Sequence, residues 1–145
     1  TPEARATRLQ SANEVLDRGT EPFFESMIPK LFGQTTRDMR PDLIAGALRM
    51  MRKMSPQHLA QVQRGMATRP DSMDTLKTIN VPTLLVTGDE DIMTGLNEAQ
   101  LMHQQIAGSQ LRVIPKAGHY SPWEQSQDAA KLFRQFLDSV SGWTQ

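Results

Sequence analysis

Residues 81–88, Val-Pro-Thr-Leu-Leu-Val-Thr-Gly, form an almost continuous apolar and β-branched run that stops at a glycine. A strand with one wet face alternates apolar and polar residues. This run does not alternate, so it reads as a strand buried on both faces, as in a parallel sheet. Parallel neighbours cannot be joined by a tight hairpin and need a crossover. The next residues supply one. A helix is predicted from about Leu96 to Ala107, where Gly108 stops it. A second strand runs from Leu111 to Pro115, followed by the loop Lys116-Ala117-Gly118-His119. A closing helix runs from about Gln125 to Val140, with Ala129, Leu132, Phe133, Phe136 and Leu137 as its apolar stripe. Such a crossover is right-handed, and it leaves the ends of both strands on one edge of the sheet. That carboxyl edge is where open α/β sheets bind ligands. Asp91 follows the first strand there, and His119 follows the second.

The first eighty residues have a different grammar. Pro2 opens a helical run, Glu3 to Arg18, that Gly19 closes, with proline first and glycine last. Thr20 can cap a second helix carrying Phe23, Phe24, Met27, Ile28 and Leu31 at helical spacing, and Gly33 ends it. Pro41 opens a third with Leu43, Ile44, Ala47, Leu48 and Met51 on one side. Ser55-Pro56 begins a fourth through Leu59, Val62 and Met66, and a short helix through Leu76 leads to Asn80. Short amphipathic helices broken this often make a lid or a small bundle. The expected organisation is therefore a helical cap segment over 1–80 and a β-α-β-α core segment over 81–145.

Two parallel strands do not make a stable sheet in water. Further strands are expected from another chain segment or another molecule, which also suits an apolar fraction of 38% over 145 residues. The formal net charge is zero, so the totals imply no polyanionic partner such as nucleic acid. No apolar run is long enough to span a bilayer, so no membrane partner is expected. The chain has no cysteine, which removes disulfides, a thiolate nucleophile and Cys-ligated metals, and leans the expected location towards the cytoplasm.

Histidine can take and return a proton near neutrality. A carboxylate bonded to its far nitrogen fixes the tautomer and steadies the imidazolium. Asp91 and His119 lie on glycine-flanked loops at one sheet edge and suit those two roles. No serine of the chain lies in Gly-x-Ser-x-Gly. Ser121 is two residues from His119, too close for a productive approach, and Ser26, Ser55 and Ser139 fall in helices or at caps. With the acid before the base, a nucleophilic serine is expected upstream of Thr1.

The chain resembles the C-terminal half of an α/β-hydrolase. Residues 81–91, ending in Gly88-Asp89-Glu90-Asp91, resemble the strand and Gly-x-x-Asp turn that bear that family's acid. Ile114-Pro115-Lys116-Ala117-Gly118-His119 resembles the segment bearing its histidine. Residues 65–72 are similar to the end of the lid in 3-oxoadipate enol-lactonase-like esterases. The resemblance implies an α/β fold whose helical cap precedes the last two parallel strands, with a sheet incomplete without the N-terminal half. It implies Asp91 and His119 as catalytic residues, a serine on the N-terminal half of the same hydrolase as partner, no cofactor, no metal, and a small ester or lactone substrate. Gly95 and Ser126 depart from the family's usual prolines, though Glu124 of its post-histidine motif is in place.

Other readings compete. Asp91 could be an ordinary turn aspartate and His119 a helix-capping loop residue. Asp89, Glu90 and Asp91 could hold a metal with His119, although consecutive carboxylates after a strand more often form a solvated turn. Thr1 could be an N-terminal nucleophile, but it begins a helix. His58 and His103 lie among glutamines on predicted helices and suit surface roles. Arg49, Arg52 and Lys53 lack interleaved aromatics and read as a solvated face. Met27, Met50, Met51, Met54, Met66 and Met93 suit either core filling or an adaptable apolar pocket. The alternative is an inactive fragment or an interaction module pairing through its open sheet edge.

Overall fold

A computed structural model describes residues 1–140. The chain forms two compact units, one of residues 1–28 and 44–71, the other of residues 29–43 and 72 onward. The change of grammar at Val81 falls inside the second.

The first unit is helical. It contains α1 (Pro2–Arg18), most of α2 (Glu21–Leu31) and of α4 (Pro41–Met51), and α5 (Pro56–Ala67). Local signals set the ends. The Thr1 hydroxyl accepts from the Ala4 amide at 3.2 Å, and the Ser55 hydroxyl accepts from the His58 amide at 3.2 Å. Gly19, at φ 81, takes a positive-φ conformation open to glycine and stops α1, its amide donating to the Val15 carbonyl. Helix α1 packs along α5. Val15, Phe24 and Leu59 form the buried core, with Phe23, Leu48 and Met51 packed around it. Burying side chains of this size stabilises by about 1.5–3 kcal/mol each.

The second unit holds α3 (Gln34–Met39), α6 (Met73–Leu76), β1 (Leu84–Gly88), α7 (Leu96–Gln105), β2 (Gln110–Ile114), α8 (Ser121–Glu124) and α9 (Ser126–Ser139). Strands β1 and β2 are parallel, with Leu84 opposite Gln110 and Gly88 opposite Ile114. They are the two strands of the sheet among the described residues. Helix α7 packs on both strands and α9 packs on β2. Ile114, Ala117 and Ala129 make a buried cluster, joined by Val86 and Leu132.

Three details differ from the sequence expectation. Strand β1 begins at Leu84 rather than Val81, because Pro82 has no N–H to donate to a ladder. Pairing nonetheless reaches back to Thr83, whose carbonyl accepts from the Gln110 amide at 2.8 Å. Leu84, Leu85 and Val86 are half-buried rather than buried on both faces. Helices α3 and α8 were not expected. Gly33, read as the end of a helix, lies just past the end of α2 and is also the N-cap of α3.

Candidate active site

The site is built where the loops after β1 and β2 meet. Those loops are stitched by main-chain bonds from the Asp89 amide to the Ile114 carbonyl at 3.1 Å and from the Glu90 amide to the Ala117 carbonyl at 2.9 Å. The approach is too close for side chains. A Cβ on Gly88 would collide with the Ala117 carbonyl, and one on Gly118 with the Gly33 amide. Lys116 turns the chain in the left-handed region at φ 57, and its carbonyl accepts from the Gln125 side chain at 3.0 Å.

Segment Leu31–Thr35 lies against these loops, held by two carboxylates. Glu124, 4% exposed, accepts from the Gly33 amide and from the Gly118 amide, each at 2.9 Å. Glu90 accepts from the amide and the hydroxyl of Thr35, at 2.8 and 2.5 Å. The Tyr120 amide adds a bond to the Leu31 carbonyl at 3.1 Å, and the Phe32 and Tyr120 rings meet edge to face. Gly118, which Glu124 holds, immediately precedes His119.

Asp91 and His119 are brought together, as the strand order predicts. Oδ2 of Asp91 lies 3.0 Å from Nδ1 of His119, with the Asp91 side chain 4% exposed and that of His119 32% exposed. The other oxygen, Oδ1, accepts from the amides of Met93 at 2.8 Å and Thr94 at 3.1 Å. This is the local turn that a short acidic side chain makes with the residues after it. Burial works to raise the Asp91 pKa. The bond from His119 and those from the Met93 and Thr94 amides outweigh it, so the carboxyl is held below its ordinary value. An ionised Asp91 accepts only, so Nδ1 of His119 carries a proton, and in the neutral ring Nε2 holds the lone pair. The geometry therefore suits a histidine that takes a proton at Nε2 while its far side is held by a buried anion.

Thr94 completes the group, its hydroxyl oxygen 3.1 Å from Nδ1 of His119 and 3.4 Å from Oδ2 of Asp91. A recess of about 140 Å³ adjoins it, lined by Leu85, Thr87, Asp91, Thr94, His119 and Ser121 among others. Thr94, the hold of Glu90 on Thr35 and the two-amide role of Glu124 escaped the sequence reading. Thr94 left a local signal, since a hydroxyl residue three positions after an aspartate in a turn is well placed to bond it. Gly95 is also explained, because a Cβ there would collide with the Asp91 carbonyl.

The competing candidates lie apart. The three consecutive carboxylates diverge, with Asp89 near the Ala117 amide at 3.4 Å and Glu90 on Thr35. Among the described residues, no group of three His, Cys, Asp or Glu is placed to hold a metal ion. The Thr1 hydroxyl caps α1. His58 is exposed, and Nδ1 of His103 lies 2.7 Å from the Ser109 hydroxyl. Arg52 pairs with Glu21 at the surface. Of the methionines, Met51 packs against the helical core, whereas Met50, Met54 and Met66 are exposed.

Comparison with known proteins agrees with this architecture. A family model described as TAP-like protein matches residues 45–141. A thermophilic esterase from Thermogutta terrifontis is 34% identical, with a TM-score of 0.92 over 96% of this chain and 51% of its own. A proline iminopeptidase of Saccharolobus solfataricus is 36% identical over 70 residues, 48% of this chain and 22% of that protein. A 3-oxoadipate enol-lactonase of Acinetobacter baylyi is 32% identical over 72 residues, 50% of this chain and 27% of that protein. The chain thus spans about half the length of the solved structure, and its matches span about a quarter of the two curated relatives.

Proposed function

The chain belongs to the TAP-like family of α/β-hydrolases, and on that premise we propose that it supplies the acid and base of a serine-dependent hydrolase acting on a small carboxylic ester or lactone. His119 is the base and Asp91 the acid that orients it. The nucleophilic serine and the amides that stabilise the oxyanion come from a segment outside these 145 residues, in the same hydrolase or in a second fragment. The helical segment over residues 1–80 is the family's cap. The observation that supports the reading is the bond of 3.0 Å between a buried Asp91 carboxylate and Nδ1 of a partly exposed His119. The esterase and lactonase activities named for similar proteins support an ester or lactone as the substrate class.

In this mechanism Nε2 of His119 takes the serine proton as its oxygen attacks the acyl carbonyl. His119 then gives that proton to the leaving alcohol, and activates a water that releases the acid from the serine. Asp91 stays ionised throughout. His119→Ala in the serine-bearing protein should lower kcat on a short ester by on the order of 10⁴-fold or more. Turnover within tenfold of wild type would refute the assignment.

A second reading is favoured by the sheet. One side of β1 has no strand partner among the described residues, and Val113 on β2 remains 40% exposed. By that reading the chain is an inactive module that pairs through its open edge. A fluorophosphonate probe separates the two. Labelling of a serine-bearing partner supports the hydrolase, and no labelling supports the module.

A further inference from the structure

We propose that Thr94 is a positioning residue for His119, its hydroxyl acting as a second oxygen on the Nδ1 proton and as a donor to Asp91 Oδ2. The inference rests on the reading of His119 as the base and deepens it. Asp91 Oδ1 is occupied by two main-chain amides. Oδ2 therefore serves His119 at 3.0 Å and the Thr94 hydroxyl at 3.4 Å, while Thr94 Oγ1 lies 3.1 Å from the same ring nitrogen. Three groups close a triangle whose one charged acceptor is the carboxylate.

Only one proton arrangement satisfies all three sides. If the hydroxyl donated to Nδ1, that nitrogen would present a lone pair to the carboxylate 3.0 Å away, and the strongest available bond would become a repulsion. The hydroxyl must therefore donate to Oδ2 and accept a share of the Nδ1 proton with a lone pair. Two consequences follow. The ring is held against rotation by two oxygens instead of one, which keeps Nε2 aimed at the serine. Part of the charge on Oδ2 is also drawn to the hydroxyl, so Asp91 stabilises the imidazolium less than it would alone.

Thr94 is exposed, and its amide bond to Oδ1 does not depend on its side chain. Thr94→Val replaces the hydroxyl with a methyl of similar shape and leaves the turn intact, whereas Thr94→Ser keeps the hydroxyl. In the complete, serine-bearing protein, the valine variant should lose about tenfold in kcat with KM within twofold of wild type. The acid limb of its kcat/KM profile should move to higher pH, because Oδ2 then serves the imidazolium alone. Serine should restore both. Wild-type kcat and an unmoved acid limb in Thr94→Val, or failure of serine to restore them, overturns the proposal. His119→Ala is assayed beside them. If that variant turns over, the base assignment itself falls and the proposal falls with it; if it is inactive while valine is silent, Thr94 alone is refuted.

Discussion

Removing the Glu124 carboxylate should destabilise the second unit by a large and calculable amount. Its two oxygens are the acceptors for two amides, those of Gly33 and Gly118, each at 2.9 Å, in a position 4% exposed. Glu124→Ala strands both donors. A buried donor left without a partner costs about 1–3 kcal/mol, so the pair amounts to about 2–6 kcal/mol. That is a large share of the about 5–15 kcal/mol that holds a typical domain together. Relaxation offers little relief, because the Gly33 and Gly118 main chains already pass at the limit of approach. Glu124→Gln keeps one acceptor oxygen and turns an NH₂ towards the other amide. It should therefore lose about half as much, about 1–3 kcal/mol. Equilibrium urea unfolding at neutral pH measures both. The expected order of midpoints is wild type, then glutamine, then alanine, with unchanged slopes. Two variants within about 0.5 kcal/mol of wild type, the range of ordinary surface substitutions, would refute the two-amide account.

Two further predictions concern the same loops. The Asp91 carboxyl is held below its ordinary value of about 3.9, so its contribution to stability is fully present above that pH and is lost as pH falls through the folded value. The stability gap between wild type and Asp91→Asn, measured by urea unfolding at a series of pH values, should narrow below about pH 4, and a constant gap would contradict the linkage. Gly88→Ala drives a methyl into the Ala117 carbonyl, main chain against main chain, and should cost about 3 kcal/mol or more, at the upper end for overpacking. A thermal midpoint within a degree of wild type would show that the loops separate more easily than their bonds suggest.

Local periodicity and chain topology account for what the sequence disclosed. The apolar run before Gly88 and the helical spacing around Ala129 mark elements whose neighbours are close in sequence or fixed by the crossover, so β1, α7, β2 and α9 were legible. The same crossover made the meeting of Asp91 and His119 legible, although they are 28 residues apart. Helix α3 was not, because Gln34-Thr35-Thr36-Arg37-Asp38-Met39 has no apolar stripe, and its start is held by Glu90, 55 residues away in sequence. Nothing local indicates that Glu124 faces Gly33 across 91 residues. Such bonds are tertiary, and pattern reading sees only what the chain does with itself nearby.

The inclusion of residues 29–43 in the second unit has a practical consequence for dissecting the molecule. A peptide beginning at Val81 would contain both strands, Asp91 and His119, yet it would lose Gly33 and Thr35, the donors that Glu124 and Glu90 satisfy. Glu90 would then lack Thr35, and Glu124 would keep the Gly118 amide but lack that of Gly33, beside the loop that carries His119. Any excision that aims to keep the Asp91–His119 geometry must bring the Leu31–Thr35 strip with it, either by starting no later than Pro29 or by supplying that strip as a separate peptide in trans.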